Sequence, residues 1–200
     1  MTKPDHYSRC HYDKHTMDDL VLLERYLNGD EVALTFIVKR YQKDIYRFVY
    51  RQVGNEADAA DVTQKVFVNL FLKAQQFQGK SSFKTWLYQI AVNQCKNHFR
   101  SNDRRRETAT EEYDRDQVLD DDKFNQVDTA QKRGLLRDAI EALPERQRLT
   151  VQLRVYQECS FAEIADIMTS SVGTVKASYH QAVLSLTKSL QEEAYEPAQM

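Results

Sequence analysis

Between Asp58 and Arg106 the chain reads DAADVTQKVFVNLFLKAQQFQGKSSFKTWLYQIAVNQCKNHFRSNDRRR. No other stretch constrains the fold as much. Apolar residues return about every three or four positions, the period of a helix and not of a strand. The pattern breaks at Gln78-Gly79-Lys80-Ser81, so the stretch predicts two helices and a short turn. On a wheel of about 100° per residue, Val62, Val66, Phe67, Leu70, Phe71, Ala74 and Phe77 fill one broad arc and form the core side. The opposite arc holds Asp61, Gln64, Lys65, Val68 and Leu72. Val68 and Leu72 are apolar on the face that should be wet. Framed by Asp61 and Gln64 they read as a small docking patch, and equally as ordinary exposed aliphatics.

The second helix is predicted to start near Ser82, with Phe83, Leu87, Ile90 and Ala91 as its buried stripe. A second arc carries Thr85, Gln89, Asn93, Lys96 and Arg100 and leads into Arg104-Arg105-Arg106. Cations suit phosphates, and Asn, Gln and Thr can read base edges. Trp86, Tyr88 and Phe99 offer rings on which an unstacked base could lie. The plain alternative is an amphipathic helix with a solvated polar face.

The motif DVTQ followed by VF, then SSFKTWLYQIAVN and KNHFR, resembles region 2 of the extracytoplasmic function (ECF) sigma factors, sigma-70 family subunits that give bacterial RNA polymerase its promoter specificity. The likeness continues into the C-terminal half and spans residues 18 to 192. It implies an all-α chain of two small helical domains joined by an acidic flexible linker: a tail at 1–17, a region 2 bundle at 18–106, a linker at 107–127, a region 4 helix-turn-helix at 128–192 and a tail at 193–200. Relatives commonly read D-A-E-D-L-T-Q-E-V-F where this chain has Ala60 and Lys65 in place of acids. The receiving surface, the β′ clamp helices, is arginine-rich in the family, so Lys65 should repel it, and like charges at an interface cost several kcal/mol.

That gap points to a switch at Thr63, in the first turns of the same helix. A phosphate there adds negative charge near a helix N-terminus. ECF groups lacking the acidic pair are similar to this chain, and some are linked to serine/threonine kinases and not to anti-sigma factors. The wheel nevertheless sets Thr63 on the core side.

Elsewhere the chain is consistent with this organisation. Five glycines and three prolines in 200 residues leave few breaks in a helical chain. A formal net charge of −2 supplies no global basic field, so DNA binding must rest on local patches or a partner. Cys10, Cys95 and Cys159 are odd in number and scattered, which fits a reducing, cytoplasmic setting better than a disulfide framework. No run is apolar enough to suggest a membrane span or signal peptide. His6, Cys10, His11 and His15 crowd the polar first residues without a standard metal spacing, so that segment reads as a solvated tail with no metal site.

Asp18 or Asp19 can cap a helix from Leu20 to Leu27, ended by Asn28-Gly29. Asp30 caps the next, in which Leu34, Ile37, Val38, Tyr41, Ile45, Phe48 and Val49 recur at helical spacing until Gly54. Phe36, Tyr41, Tyr46, Phe48 and Tyr50 read as core. Residues 107 to 127 carry eight acids against Arg115 and Lys123, too polar a run to fold alone. The resemblance implies that this acidic strand threads polymerase channels otherwise filled by nucleic acid.

In the second domain Leu135, Leu136, Ala139, Ile140 and Leu143 mark one helix. Pro144 opens another with Leu149, Val151, Leu153 and Val155 as its core. Ser160 and Glu163 form a capping box for a helix to Met168. Thr169-Ser170-Ser171 turns into a last helix from Val172 to about Leu190. This is a helix-turn-helix pattern. Val172, Val175, Tyr179, Ala182, Val183 and Leu186 should face inward, and Thr174, Ala177, Ser178 and Gln181 outward, flanked by Lys176 and His180. VGTVKASYHQAV resembles the helix that reads the minus-35 element, although many relatives carry arginine where Ser178 and Gln181 stand.

The resemblance implies that region 2 binds the β′ clamp and melts and reads the minus-ten element. Phe77 to Phe83 with Asn93 would hold a flipped base, and Lys96 and Arg100 phosphate. Region 4 would bind the β flap and minus-35 DNA. Partners are therefore core RNA polymerase and promoter DNA, with a serine/threonine kinase or an anti-sigma factor as regulator. No cofactor is implied. No nucleophile–base pair or phosphate-cradling glycine loop marks an enzyme. A free-standing helix-turn-helix regulator and a protein that sequesters polymerase are the competing classes.

Overall fold

The computed structural model describes residues 17–106 and 130–194. The histidine-rich N-terminal tail, the acidic linker and the end of the C-terminal tail lie outside the described residues. Eight α-helices occur among those described: α1 (Asp19–Leu27), α2 (Glu31–Val53), α3 (Glu56–Lys73), α4 (Phe83–Arg106), α5 (Ala130–Glu141), α6 (Glu145–Val155), α7 (Phe161–Met168) and α8 (Val172–Ala194). A single 3-10 turn, Ala74–Gln76, follows α3.

Local chemistry sets the helix ends. The Asp18 carboxylate accepts from the Leu20 N–H at 2.9 Å and Asp30 from the Val32 N–H at 3.1 Å, each satisfying an orphan donor of a first turn. α2 stops at Gly54, whose φ of 84° is the left-handed conformation that glycine adopts without steric cost. α3 begins two residues earlier than the apolar pattern indicates, because Asn55 caps it through the Asp58 N–H at 2.8 Å.

Helices α1 to α4 form the first domain. Ile37, Ile45, Phe48 and Val49 of α2 meet Val62, Val66 and Leu70 of α3 and Leu87 and Ala91 of α4, all buried. Phe48 and Tyr88 meet edge to face at 5.3 Å, the geometry ring quadrupoles favour. Asp19 ties α1 to α2 by accepting from both Arg40 and the Tyr41 hydroxyl. Burial, and then Asp19, push the Tyr41 phenol well above its ordinary range.

Helices α5 to α8 form the second domain. Ile140, Leu143, Val151 and Ala182 make a core flanked by Leu136, Tyr179 and Leu186. The capping box is present: Ser160 Oγ accepts from the Glu163 N–H at 3.2 Å, and Glu163 accepts from the Ser160 N–H at 2.8 Å. That N–H holds the Glu163 carboxyl below its usual range. Thr169, at φ 51°, turns the chain into α8.

Several expected core positions are exposed. Phe71 leans on the Tyr26 ring of α1 at 5.9 Å, a contact that leaves it half in water. Val155, in the last turn of α6, and Val172 and Val183 of α8 are also exposed. Pro144 stands just before α6 as its N-cap and not within the first turn.

The domains touch. α4 packs against α7, and one apolar cluster runs from the first domain into Leu149, Leu153, Cys159, Ile164 and Ile167 of the second. A reciprocal cap is worth about 1 kcal/mol, so Ser160→Ala should lower unfolding stability by roughly that amount without changing helix content, as read by chemical denaturation followed by circular dichroism.

Candidate nucleic-acid interface

The arc of α3 opposite the core is exposed to solvent. Val68 is 49 % and Leu72 66 % exposed, and Phe71, 53 % exposed, joins them on the flank facing α1. A helical wheel places Phe71 on the core arc, but its contact with Tyr26 of α1 covers only part of the ring. Asp61, Gln64 and Lys65 are exposed beside this ridge. Lys65 bonds Asp61 one turn back at 2.5 Å. An exposed pair of this kind contributes only about 0.3–0.5 kcal/mol, but it occupies the remaining acid of the ridge. Thr63 is half-buried, and its hydroxyl is fully enclosed with no hydrogen-bond partner.

The polar arc of α4 divides in two. Asn93, Lys96 and Arg100 are exposed, and Phe99 stands beside them at 38 %. Thr85 is only 2 % exposed. Its hydroxyl lies 2.8 Å from Ser82 Oγ and donates to Glu163 of the second domain at 3.4 Å. Gln89 is half-buried and donates to the Asp166 carbonyl at 3.4 Å. Thr85 and Gln89 therefore do not share a free face with Asn93, Lys96 and Arg100 here.

The rings also sort by burial. Tyr88 is buried against Phe48 and is no platform for a base. Phe77, Phe83 and Trp86 form one aromatic group at the start of α4, with centroids 5.1 to 6.0 Å apart. Phe83 is buried, while Phe77 and Trp86 are partly open.

In the second domain Thr174, Lys176, Ala177, His180 and Gln181 are exposed on α8, and Ser178 is half-buried. Ser171 caps the helix, accepting from the Thr174 N–H at 3.1 Å. Arg146 donates to Ser170 at 2.5 Å and pins the turn. No group of three His, Cys, Asp or Glu side chains converges as a metal site among the described residues. No described helix is long and apolar enough to cross a membrane. Burial pushes the Cys95 thiol up to about 12 and that of Cys159 up to about 11.

A helix-turn-helix domain tied to a helical bundle with an exposed cationic helix defines a two-part, all-α DNA-binding protein. The family model described as Sigma-70 region 2 matches residues 37–105, and that described as Sigma-70, region 4 matches residues 133–186. The RNA polymerase sigma-H factor of Pseudomonas aeruginosa is 35 % identical over 187 residues, covering 86 % of this chain and 94 % of that protein. The ECF RNA polymerase sigma-E factor of Escherichia coli is 34 % identical over 169 residues, covering 80 % and 88 %. The chain belongs to the sigma-70 family, in its ECF branch.

Solved structures share the fold. The Bartonella quintana sigma factor RpoE, in complex with the anti-sigma factor NepR, aligns with a TM-score of 0.65 at 19 % identity over 77 % of this chain and 94 % of that one. CnrH, in complex with the cytosolic domain of CnrY, aligns with a TM-score of 0.63 at 20 % identity over 87 % and 97 %.

The enclosed Thr63 hydroxyl makes a direct prediction. An unpaired buried polar group costs about 1–3 kcal/mol, so the near-isosteric Thr63→Val should raise the unfolding midpoint. A lower midpoint would show that the hydroxyl is hydrogen-bonded in solution.

Proposed function

We propose that this chain binds core RNA polymerase through the α3 ridge and directs it to promoters, reading minus-ten DNA with α4 and minus-35 DNA with α8. The observation that carries the reading is the ridge itself: Val68, Phe71 and Leu72 stand exposed in one patch beside Asp61, Gln64 and Lys65. A free-standing operator-binding protein has no use for such a patch, and contiguous exposed apolar surface marks a protein contact. Asn93, Lys96 and Arg100 form the open cationic half of the α4 arc, suited to a phosphate backbone. On α8, Thr174, Lys176, Ala177, His180 and Gln181 face solvent where a recognition helix enters the major groove. Melting and promoter choice are binding work, and the chemistry of RNA synthesis belongs to the polymerase.

The β′ clamp helices and the β flap are the surfaces that the family resemblance implies for the two domains. Lys65, by engaging Asp61, weakens the acidic character of the ridge. Phosphorylation of Thr63 is a finer reading of how this is overcome. The enclosed hydroxyl means that the start of α3 would have to open for a kinase to reach it. A Lys65 substitution needs no such opening, which makes it the cleaner probe of the charge argument. The Bartonella quintana neighbour above is in complex with an anti-sigma factor, so control by such a partner is the alternative to a kinase.

The test is retention of core polymerase by the tagged chain expressed in its native host. Wild type should retain it. The Val68→Glu/Leu72→Glu double variant should lose most of it, because desolvating two charges in an apolar patch costs well over the roughly 1.4 kcal/mol that makes a tenfold change. Lys65→Glu should retain more than wild type. Equal retention by Thr63→Ala and wild type rules out the phosphate switch, and no retention by any of them rules out the sigma reading. In the assembled holoenzyme, Lys96→Ala and Arg100→Ala should each flatten the salt dependence of promoter binding by about one unit of log–log slope.

A further inference from the structure

Guanine shows two acceptors, N7 and O6, in the major groove, and arginine or lysine is the side chain that usually meets them. Helix α8 contains no arginine, and its lysines are Lys176 and Lys188. Lys188 stands about 24 Å along the helix from its start, away from the N-terminal part that a recognition helix lays on base edges. The rest of the exposed face therefore decides which base this chain takes.

The structure narrows the candidates on that face. The Thr174 hydroxyl lies 2.8 Å from Ser171 Oγ, inside the cap of the helix. Ser178 is half-buried, and Ala177 has no polar atom. Beyond them the outer face turns apolar at Val183 and Leu184, both exposed. Lys176 lies about 140° round the helix from Gln181, where a point charge suits backbone phosphate. His180 stands nearer to Lys176, and an imidazole offers a base edge one ring nitrogen at a time. Gln181 is exposed on the flank that it shares with Thr174 and Ala177, and among the described residues nothing engages its amide. Val175 and Ala182, fully buried on the inner side, fix the rotation of the helix and so aim Gln181 outward.

A carboxamide presents one donor and one acceptor side by side. Adenine presents the complement, N7 as acceptor and the N6 amino group as donor. Against guanine the amide oxygen would face O6, acceptor against acceptor, and both would be left unpaired in a desolvated contact. We propose that Gln181 is the specificity-determining residue of the second domain and selects an adenine in the minus-35 element by a paired contact in the major groove. The inference rests on the proposed role of α8. With so few cations on the helix, the contact operates in the polymerase-bound chain, where the first domain supplies the local concentration.

The test uses the full chain assembled with core RNA polymerase from the native host. The holoenzyme is mixed with a fully randomised duplex DNA library, and the retained DNA is sequenced. Wild type should select an upstream block with one position at which adenine exceeds guanine roughly tenfold, as one good paired contact allows. Gln181→Arg should turn that position to guanine, because a guanidinium supplies two donors. Gln181→Ala should leave it without preference. The downstream block, read by the first domain, should be the same for all three proteins, which shows that each variant assembles.

An upstream block that is identical in all three overturns the proposal and leaves α8 reading DNA through other residues. A position that responds to Gln181 but favours a base other than adenine in wild type also overturns it. A downstream block with no upstream block refutes the reading of α8, and the inference with it.

Discussion

Helix α4 has to satisfy two sets of neighbours, and the rest of the structure depends on that requirement. Its apolar stripe, Phe83, Leu87, Ile90 and Ala91, closes the first-domain core against α2 and α3. Hydrophobic burial of this kind is non-directional and dominates the stability of a small bundle. The adjoining side of the same helix carries Lys84, Thr85, Tyr88 and Gln89, and these meet α7 and the turn before it. Polar contacts of that kind are directional and contribute modestly each. One helix thus combines a contact that holds a domain together with one that joins it to the second domain.

Charge is distributed with the same economy. The chain is nearly neutral, and its cations act locally. Lys84 and Arg51 reach the second domain, Lys96 and Arg100 face solvent, and Lys65 is engaged by Asp61 on the exposed face of α3. At physiological ionic strength the Debye length is about 8 Å, so each group acts on what it touches. A relative with acids in place of Ala60 and Lys65 would present a different sign to a partner on an unchanged helix. Specificity of that kind is set by a few side chains on a common backbone.

Much of the fold was legible before any coordinates. The caps at Asp18, Asp30 and Ser160, the left-handed Gly54, the helix-turn-helix and the stripe of α4 follow from local rules that act within one or two turns. The exposure of Val68 and Leu72 was legible for the same reason. Phe71, Val155, Val172 and Val183 were not, since a wheel assigns an inner face without knowing where the neighbouring helix stops. Tyr88 was read as a platform for bases because its ring sits near the polar arc, and only the position of Phe48 and Gln157 makes it a buried donor.

By itself, then, the sequence determined the helices, their caps, the two-domain division and the family to which they belong, because periodicity, capping and motif spacing are properties of short segments. Tertiary structure alone decided that Thr85 and Gln89 are covered while Asn93, Lys96 and Arg100 are free, and that the Thr63 hydroxyl is enclosed. Those outcomes depend on contacts between residues far apart in the chain, such as Thr85 with Glu163 and Gln52 with Gln152. No local pattern encodes such a contact, since the partner that buries a polar side chain leaves no mark on the sequence around it.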